Sequence, residues 1–154
     1  MEARAQALLI AALRLVLAVA GALAAVGRGV GHGPVLGLVV FAAGLVLLSV
    51  YAGGTVERAA LRFENPERRP DDARVESRLR ALARATYPST IGLTVLTAIA
   101  LWPQPPLVAC LAGILAGLGV MALVGAARVT AWERARRARM FIEAGGYRVF
   151  EASR

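Results

Sequence analysis

The sequence predicts an all-α membrane protein, a bundle of four spanning helices arranged as two helical hairpins. Three observations predict it. Hydrophobic residues make up 58% of the 154-residue chain, and the mean hydropathy is +0.61; a soluble domain of this length rarely reads so apolar. The apolar residues are gathered into runs of bilayer-crossing length. The one long polar stretch, 57–87, separates two apolar halves.

The first run, 5–26, is about 33 Å long as a helix, enough to cross a hydrocarbon core of about 30 Å. A signal peptide is the rival reading, with Arg14 closing its charged region, 15–24 as its apolar region and cleavage after Ala22-Leu23-Ala24. The run ahead of Arg14 is already apolar, unlike the charged start of a signal peptide, so a span is expected. Residues 27–33 read GRGVGHG. A phosphate-cradling loop would need a preceding strand and a following Gly-Lys-Ser/Thr; a flexible turn between two helices needs neither. The only histidine, His32, falls in this turn and is expected to be exposed. Pro34 suits the first turn of the next helix, where its missing N–H costs nothing. That second span is 34–55, loosened at its end by Gly53-Gly54.

The central loop, 57–84, carries eight arginines. Asn65-Pro66 and Arg69-Pro70 break regular structure there, and Asp71 or Asp72 can cap a new helix. Val75, Leu79, Leu82 and Thr86 then share one face, with Arg74, Arg78, Arg80 and Arg84 largely elsewhere. Such an amphipathic helix suits anionic headgroups; the alternative is a solvated or subunit-contacting helix. The Asp71-Asp72 pair lacks a third carboxylate to complete a metal-binding spacing.

The third span is 85–102, with Pro88 near its start and Trp102 as an interfacial anchor. A rigid turn, Pro103-Gln104-Pro105-Pro106, leads to the fourth span, 107–129, and Trp132 can anchor its other end. Residues 1–130 thus form the four-span domain. The tail, 131–154, begins as a basic helical extension with Arg134, Arg136, Arg137 and Arg139. Two β-leaning runs flank Gly145-Gly146, which points to a hairpin over 139–152. In that register Glu143 faces Arg148, Ile142 faces Val149 and Phe141 faces Phe150, each a sensible pair. A helix continuing to Ala144 and capped by Gly145 is the alternative.

With both termini and the central loop on one side, every arginine except Arg14 and Arg28 falls on that side. The positive-inside rule makes it cytoplasmic, so the expected location is the inner (cytoplasmic) membrane, with both ends inside. The halves are faintly alike, each closing on Glu-Arg-Ala, at 57–59 and 133–135.

Arg14 is the residue to follow for chemistry. A charge midway along a span should face protein or water, not lipid. Ser49, Thr94 and Thr97 fall near its level, and Thr90, Thr94 and Thr97 share a helix face. A guanidinium meeting a hydroxyl stripe could bind an anion or a lipid phosphate. The bland reading has Arg14 reaching to the inner headgroups and the threonines bonding their own backbone. Ala109, Gly113 and Gly117 recur every four residues and Gly21 pairs with Ala25, spacings that let helices approach closely. Cys110 is alone in an apolar run, so it reads as a small buried hydrophobe.

No Ser/His/Asp set, Cys pair, His pair or intramembrane acid is present. The chain lacks the first-span Glu of small multidrug transporters, the paired Cys of quinone-linked thiol oxidoreductases and the several His of haem-bearing four-helix proteins. No cofactor, metal or nucleic acid is expected. The leading expectation is a non-enzymatic accessory or scaffold subunit. Its arginines, chiefly Arg74, Arg78, Arg84, Arg134, Arg136, Arg137 and Arg139, would contact anionic lipids or a partner, either a second copy or a larger membrane complex. The alternative is a small oligomeric transporter or channel for an anionic ligand, using Arg14, Ser49, Thr90, Thr94 and Thr97.

Overall fold

The computed structural model describes residues 3–52, 67–68, 83, 89–136, 138–142 and 149–153. Among the described residues four helices carry the fold: α1 (Ala3–Gly27), α2 (His32–Ala52), α3 (Ser89–Ala100) and α4 (Pro105–Arg136). Three of them, α1, α2 and α4, are long and apolar enough to cross a membrane. The third predicted span, 85–102, is described only from Ser89 onward. The helix in the third predicted span has 12 residues, about 18 Å at 1.5 Å per residue, short of a core of about 30 Å. Pro103 follows its last residue by three, and proline disfavours helix in the residue before it. Residues 84–88, which the longer span would need, lie outside the described residues.

The ends of the helices follow from local chemistry. α1 stops in a Schellman motif, with Val30 N–H donating to the Ala25 carbonyl at 3.2 Å and Gly29 N–H to that of Val26 at 2.9 Å. Gly29 holds the φ of +91° that this cap requires and that a Cβ would oppose. His32 is the first residue of α2 and is exposed, as expected for it, although the helix begins two residues before the predicted span. Pro34 sits in the first turn. α4 starts at Pro105, after Gln104, whose carbonyl accepts from Leu107 N–H at 2.9 Å. Proline is well placed at that first helical position. α4 then runs through the predicted span and on through the first part of the basic extension, to Arg136.

α4 is the centre of the bundle. Its heptad-spaced residues Ala112, Leu115, Gly119, Ala126, Val129 and Glu133 are all buried. Along part of that line it meets α1: Gly119 lies against Leu15, and Gly21 of α1 against Ala112. These pairings make α1 and α4 antiparallel. A second face of α4 carries Ala109, Gly113 and Gly117, and α2 packs here in parallel. A Cβ on Gly113 would lie 2.5 Å from the Val39 carbonyl oxygen, and one on Gly117 would lie 2.9 Å from Val46 Cβ. α3 returns antiparallel to α4 beside α1, with Thr97 against Gly21. The best-buried apolar cluster joins Ala25, Val35, Ala100, Val108, Ala109 and Leu111, near the two tight turns.

At the far end of the chain, Ala138–Ile142 (β2) lies antiparallel to Val149–Ser153 (β3), with Phe141 opposite Phe150 and Ile142 opposite Val149. A short strand, Glu67–Arg68 (β1), pairs in parallel with β3. The turn that a hairpin needs, 143–148, lies outside the described residues, so the hairpin stays an expectation. The same holds for the amphipathic helix after Asp72, with Arg74, Arg78 and Arg84, and for Arg137.

Candidate functional site

α1 presents a seam of very small residues to the bundle: Ala11, Ala18 and Ala25 are nearly inaccessible, and Gly21 lies between the last two. The intervals three and four that connect 18, 21 and 25 also connect 11, 14 and 18. Arg14 therefore stands in the seam itself, at the one position where the pattern calls for a small apolar residue. Its side chain is half-buried.

The guanidinium is held by three described acceptors. Arg14 Nε donates to Thr90 Oγ1 at 2.9 Å. Nη1 donates to the Leu118 carbonyl of α4 at 3.3 Å, and Nη2 to Ser89 Oγ at 3.3 Å. The first two bonds are partly buried, whereas the Ser89 bond is exposed. Thr90 is 2% exposed, so little water competes for its side of the Nε bond. Arg14 thus fastens the beginning of α3 to both α1 and α4. All three acceptors are neutral, and among the described residues no carboxylate pairs with Arg14.

Magnitudes show what this arrangement leaves open. An arginine at the middle of a spanning helix costs about 2.5–3.5 kcal/mol on insertion scales. Hydrogen bonds between helices within a membrane average about 0.6 kcal/mol. Three such bonds offset roughly half of the cost, and none of the described acceptors carries a charge to balance the guanidinium.

The predicted hydroxyl stripe divides at Thr90. Thr94 Oγ1 donates to the Thr90 carbonyl at 2.8 Å and Thr97 Oγ1 to that of Leu93 at 2.7 Å. Both therefore satisfy their own helix, and they line a hollow of about 200 Å³ between α1 and α3 instead of meeting the arginine. Ser49 donates to the Leu45 carbonyl at 2.7 Å. It lies with Phe41, Val46, Cys110 and Ile114 along a different hollow of about 410 Å³ between α2 and α4. The structure brings the Arg14 guanidinium and the Thr90 hydroxyl together, while the hydroxyls of Ser49, Thr94 and Thr97 bond their own helices. Ser89 and the Leu118 carbonyl were not foreseen. Ser89 adjoins the stripe and could have been included; a backbone carbonyl carries no sequence signal.

Two further arginine contacts mark the ends of the bundle. At the tight-turn end, Arg28 Nε donates to the Leu101 carbonyl at 3.2 Å and its guanidinium lies 4.1 Å from the centroid of the Trp102 ring. Trp102 is 78% exposed, as an anchor at a membrane boundary would be. At the other end Arg136 lies 5.0 Å from the Trp132 ring centroid, and Arg134 and Arg136 are exposed in the last turn of α4. Arg139 lies in β2. Among the described residues no cluster of His, Cys, Asp or Glu could hold a metal ion. Compared with protein families, curated proteins and solved structures, the chain matches none.

Proposed function

We propose that this small membrane protein works by association, as an accessory or scaffold subunit whose basic loop and tail contact anionic lipid headgroups or a partner at the cytoplasmic face. The observation that carries this reading is the length of α4. Its 32 residues reach about 48 Å, against a hydrocarbon core of about 30 Å. The surplus forms a stiff post whose last turn bears the exposed Arg134 and Arg136. Near an anionic leaflet each such arginine contributes on the order of 1 kcal/mol of attraction. The loop arginines Arg74, Arg78 and Arg84, and Arg137 and Arg139 beside an expected tail hairpin, would add to the same face.

The orientation rests on the positive-inside rule. The two tight turns meet at one end of the bundle through Arg28 and Leu101, which supports placing both hairpin turns on the outer side and both termini in the cytoplasm. The transporter alternative needs the hydroxyls of Ser49, Thr94 and Thr97 to serve Arg14, and these donate to their own backbones, so the geometry favours the scaffold.

The test uses photo-crosslinking residues at positions 134 and 136 in native membranes. The expected result is an adduct with one discrete membrane protein or with anionic lipid, reduced by removing the tail from Arg139. Labelling of an Arg136→Cys variant from the periplasmic side only, or Arg14-dependent anion flux in liposomes, would overturn the reading.

A further inference from the structure

We propose that Arg14, with the hydroxyls of Ser89 and Thr90, forms an intramembrane binding site for a phosphate-class anion that enters from the side of the bundle carrying Ser89. Four observations on different levels of the structure lead there. Arg14 occupies a seam otherwise built of Ala11, Ala18, Gly21 and Ala25, where a small apolar residue would pack without penalty. Its three described acceptors, Thr90 Oγ1, Ser89 Oγ and the Leu118 carbonyl, are all neutral. A guanidinium has five N–H donors in a planar fork, and these bonds engage three. The site is also reachable, because Ser89 and its bond to Nη2 are exposed whereas the Thr90 and Leu118 bonds are partly buried.

Depth narrows the ligand. Leu118 lies 13 positions after Pro105, about 20 Å from the tight-turn end of a core about 30 Å thick. That leaves about 10 Å to the opposite boundary, a distance that bilayer thinning around an embedded arginine shortens further. A phosphate drawn in from that leaflet would meet the Nη2 edge of the guanidinium, with Ser89 Oγ turning its proton outward to donate. Arginine pairs with phosphate through parallel N–H bonds, and in a medium of low dielectric the anion cancels the charge that neutral acceptors cannot. The anion is either the phosphate of an anionic lipid or inorganic phosphate from water; the chemistry at Arg14 is common to both. This inference does not depend on the scaffold reading, since the site would hold its anion whatever the arginines of α4 contact.

The test uses the full chain in nanodiscs of phosphatidylcholine with phosphatidylglycerol, then native mass spectrometry after mild delipidation. The wild type is expected to retain phosphatidylglycerol in preference to phosphatidylcholine. Arg14→Gln should lower that retention by about tenfold or more, and Ser89→Ala by about threefold, as loss of a charged and a neutral bond respectively. Titration with inorganic phosphate separates the sources: displacement of the retained lipid by millimolar phosphate assigns the site to the free anion, and its persistence assigns it to the lipid. Ser89→Ala alters an exposed hydroxyl, so it remains informative if Arg14→Gln fails to fold. Equal retention in wild type and Ser89→Ala, or in wild type and a folded Arg14→Gln, together with no phosphate binding, overturns the proposal.

Discussion

Helices α2 and α4 are nearly equal in hydropathy, yet only 11% of the apolar window of α2 is buried inside the protein, against 44% of that of α4. In water such a difference would be read from apolarity, because apolar surface seeks the core. In a bilayer, lipid is as apolar as leucine, so apolarity reports the solvent and not the packing. What separates the two helices is where their small residues meet backbone. Gly113 and Gly117 of α4 lie against the Val39 and Ala43 carbonyl oxygens, whereas Gly37 and Gly44 of α2 have nothing within 4 Å.

The largest test of this contrast is Gly113→Leu. A Cβ there meets the Val39 carbonyl oxygen at 2.5 Å and Ala42 Cβ at 2.8 Å, so α2 must move off α4. A loss of about 3 kcal/mol is expected, read by reversible unfolding in mixed micelles. Gly44→Ala in the same assay should be neutral or stabilise by up to about 1 kcal/mol, from helix propensity alone. Similar effects at the two positions would dissolve the comparison. An intermediate case is Gly119→Ala, whose new methyl would meet the side chain of Leu15 at 3.0 Å. A side chain can rotate where a backbone cannot, and about 1 kcal/mol is expected.

Arg14→Met sharpens the comparison differently, because it restores an apolar residue to a seam of small ones. The three hydrogen bonds lost are worth roughly half of the charge cost removed. Unfolding free energy should therefore rise by about 1 kcal/mol. A loss of 3 kcal/mol or more would show that Arg14 holds the bundle together. A small effect also belongs to the exposed clamp at the turns. Arg28→Ala removes one hydrogen bond and a cation–π contact to Trp102, for about 0.5–1 kcal/mol; in the same micelle unfolding assay, no change at all would make that contact incidental.

The membrane class and the close approach at Gly113 and Gly117 were legible because each follows from a local rule: run length for the first, four-residue spacing of small residues for the second. The prominence of Arg14 was legible for the same reason, since one charge in a long apolar run has few uses. Its partners were less so. Thr90, Thr94 and Thr97 share a face, but a helical threonine can bond the carbonyl four residues back, and two of these three do so. Ser49 matched Arg14 in depth, yet depth says nothing of which helices adjoin. Of the third predicted span, 85–102, the helix is described from Ser89 to Ala100, and residues 84–88 lie outside the described residues. The intervals 11, 14, 18, 21 and 25 were present in the sequence and would have aimed Arg14 inward.

The dominance of α4 has a consequence for how the chain is made. α1 and α2 adjoin in sequence but touch each other little, and each leans mainly on α4, which begins more than fifty residues after α2 ends. During synthesis the first hairpin leaves the ribosome and enters the lipid long before its partner exists. Until then Val39, Ala42 and Ala43 face acyl chains, and the charge at position 14 has neither α3 nor α4 to lean on. A nascent chain arrested before Pro105 would hold α1 and α2 without the helix against which each packs most.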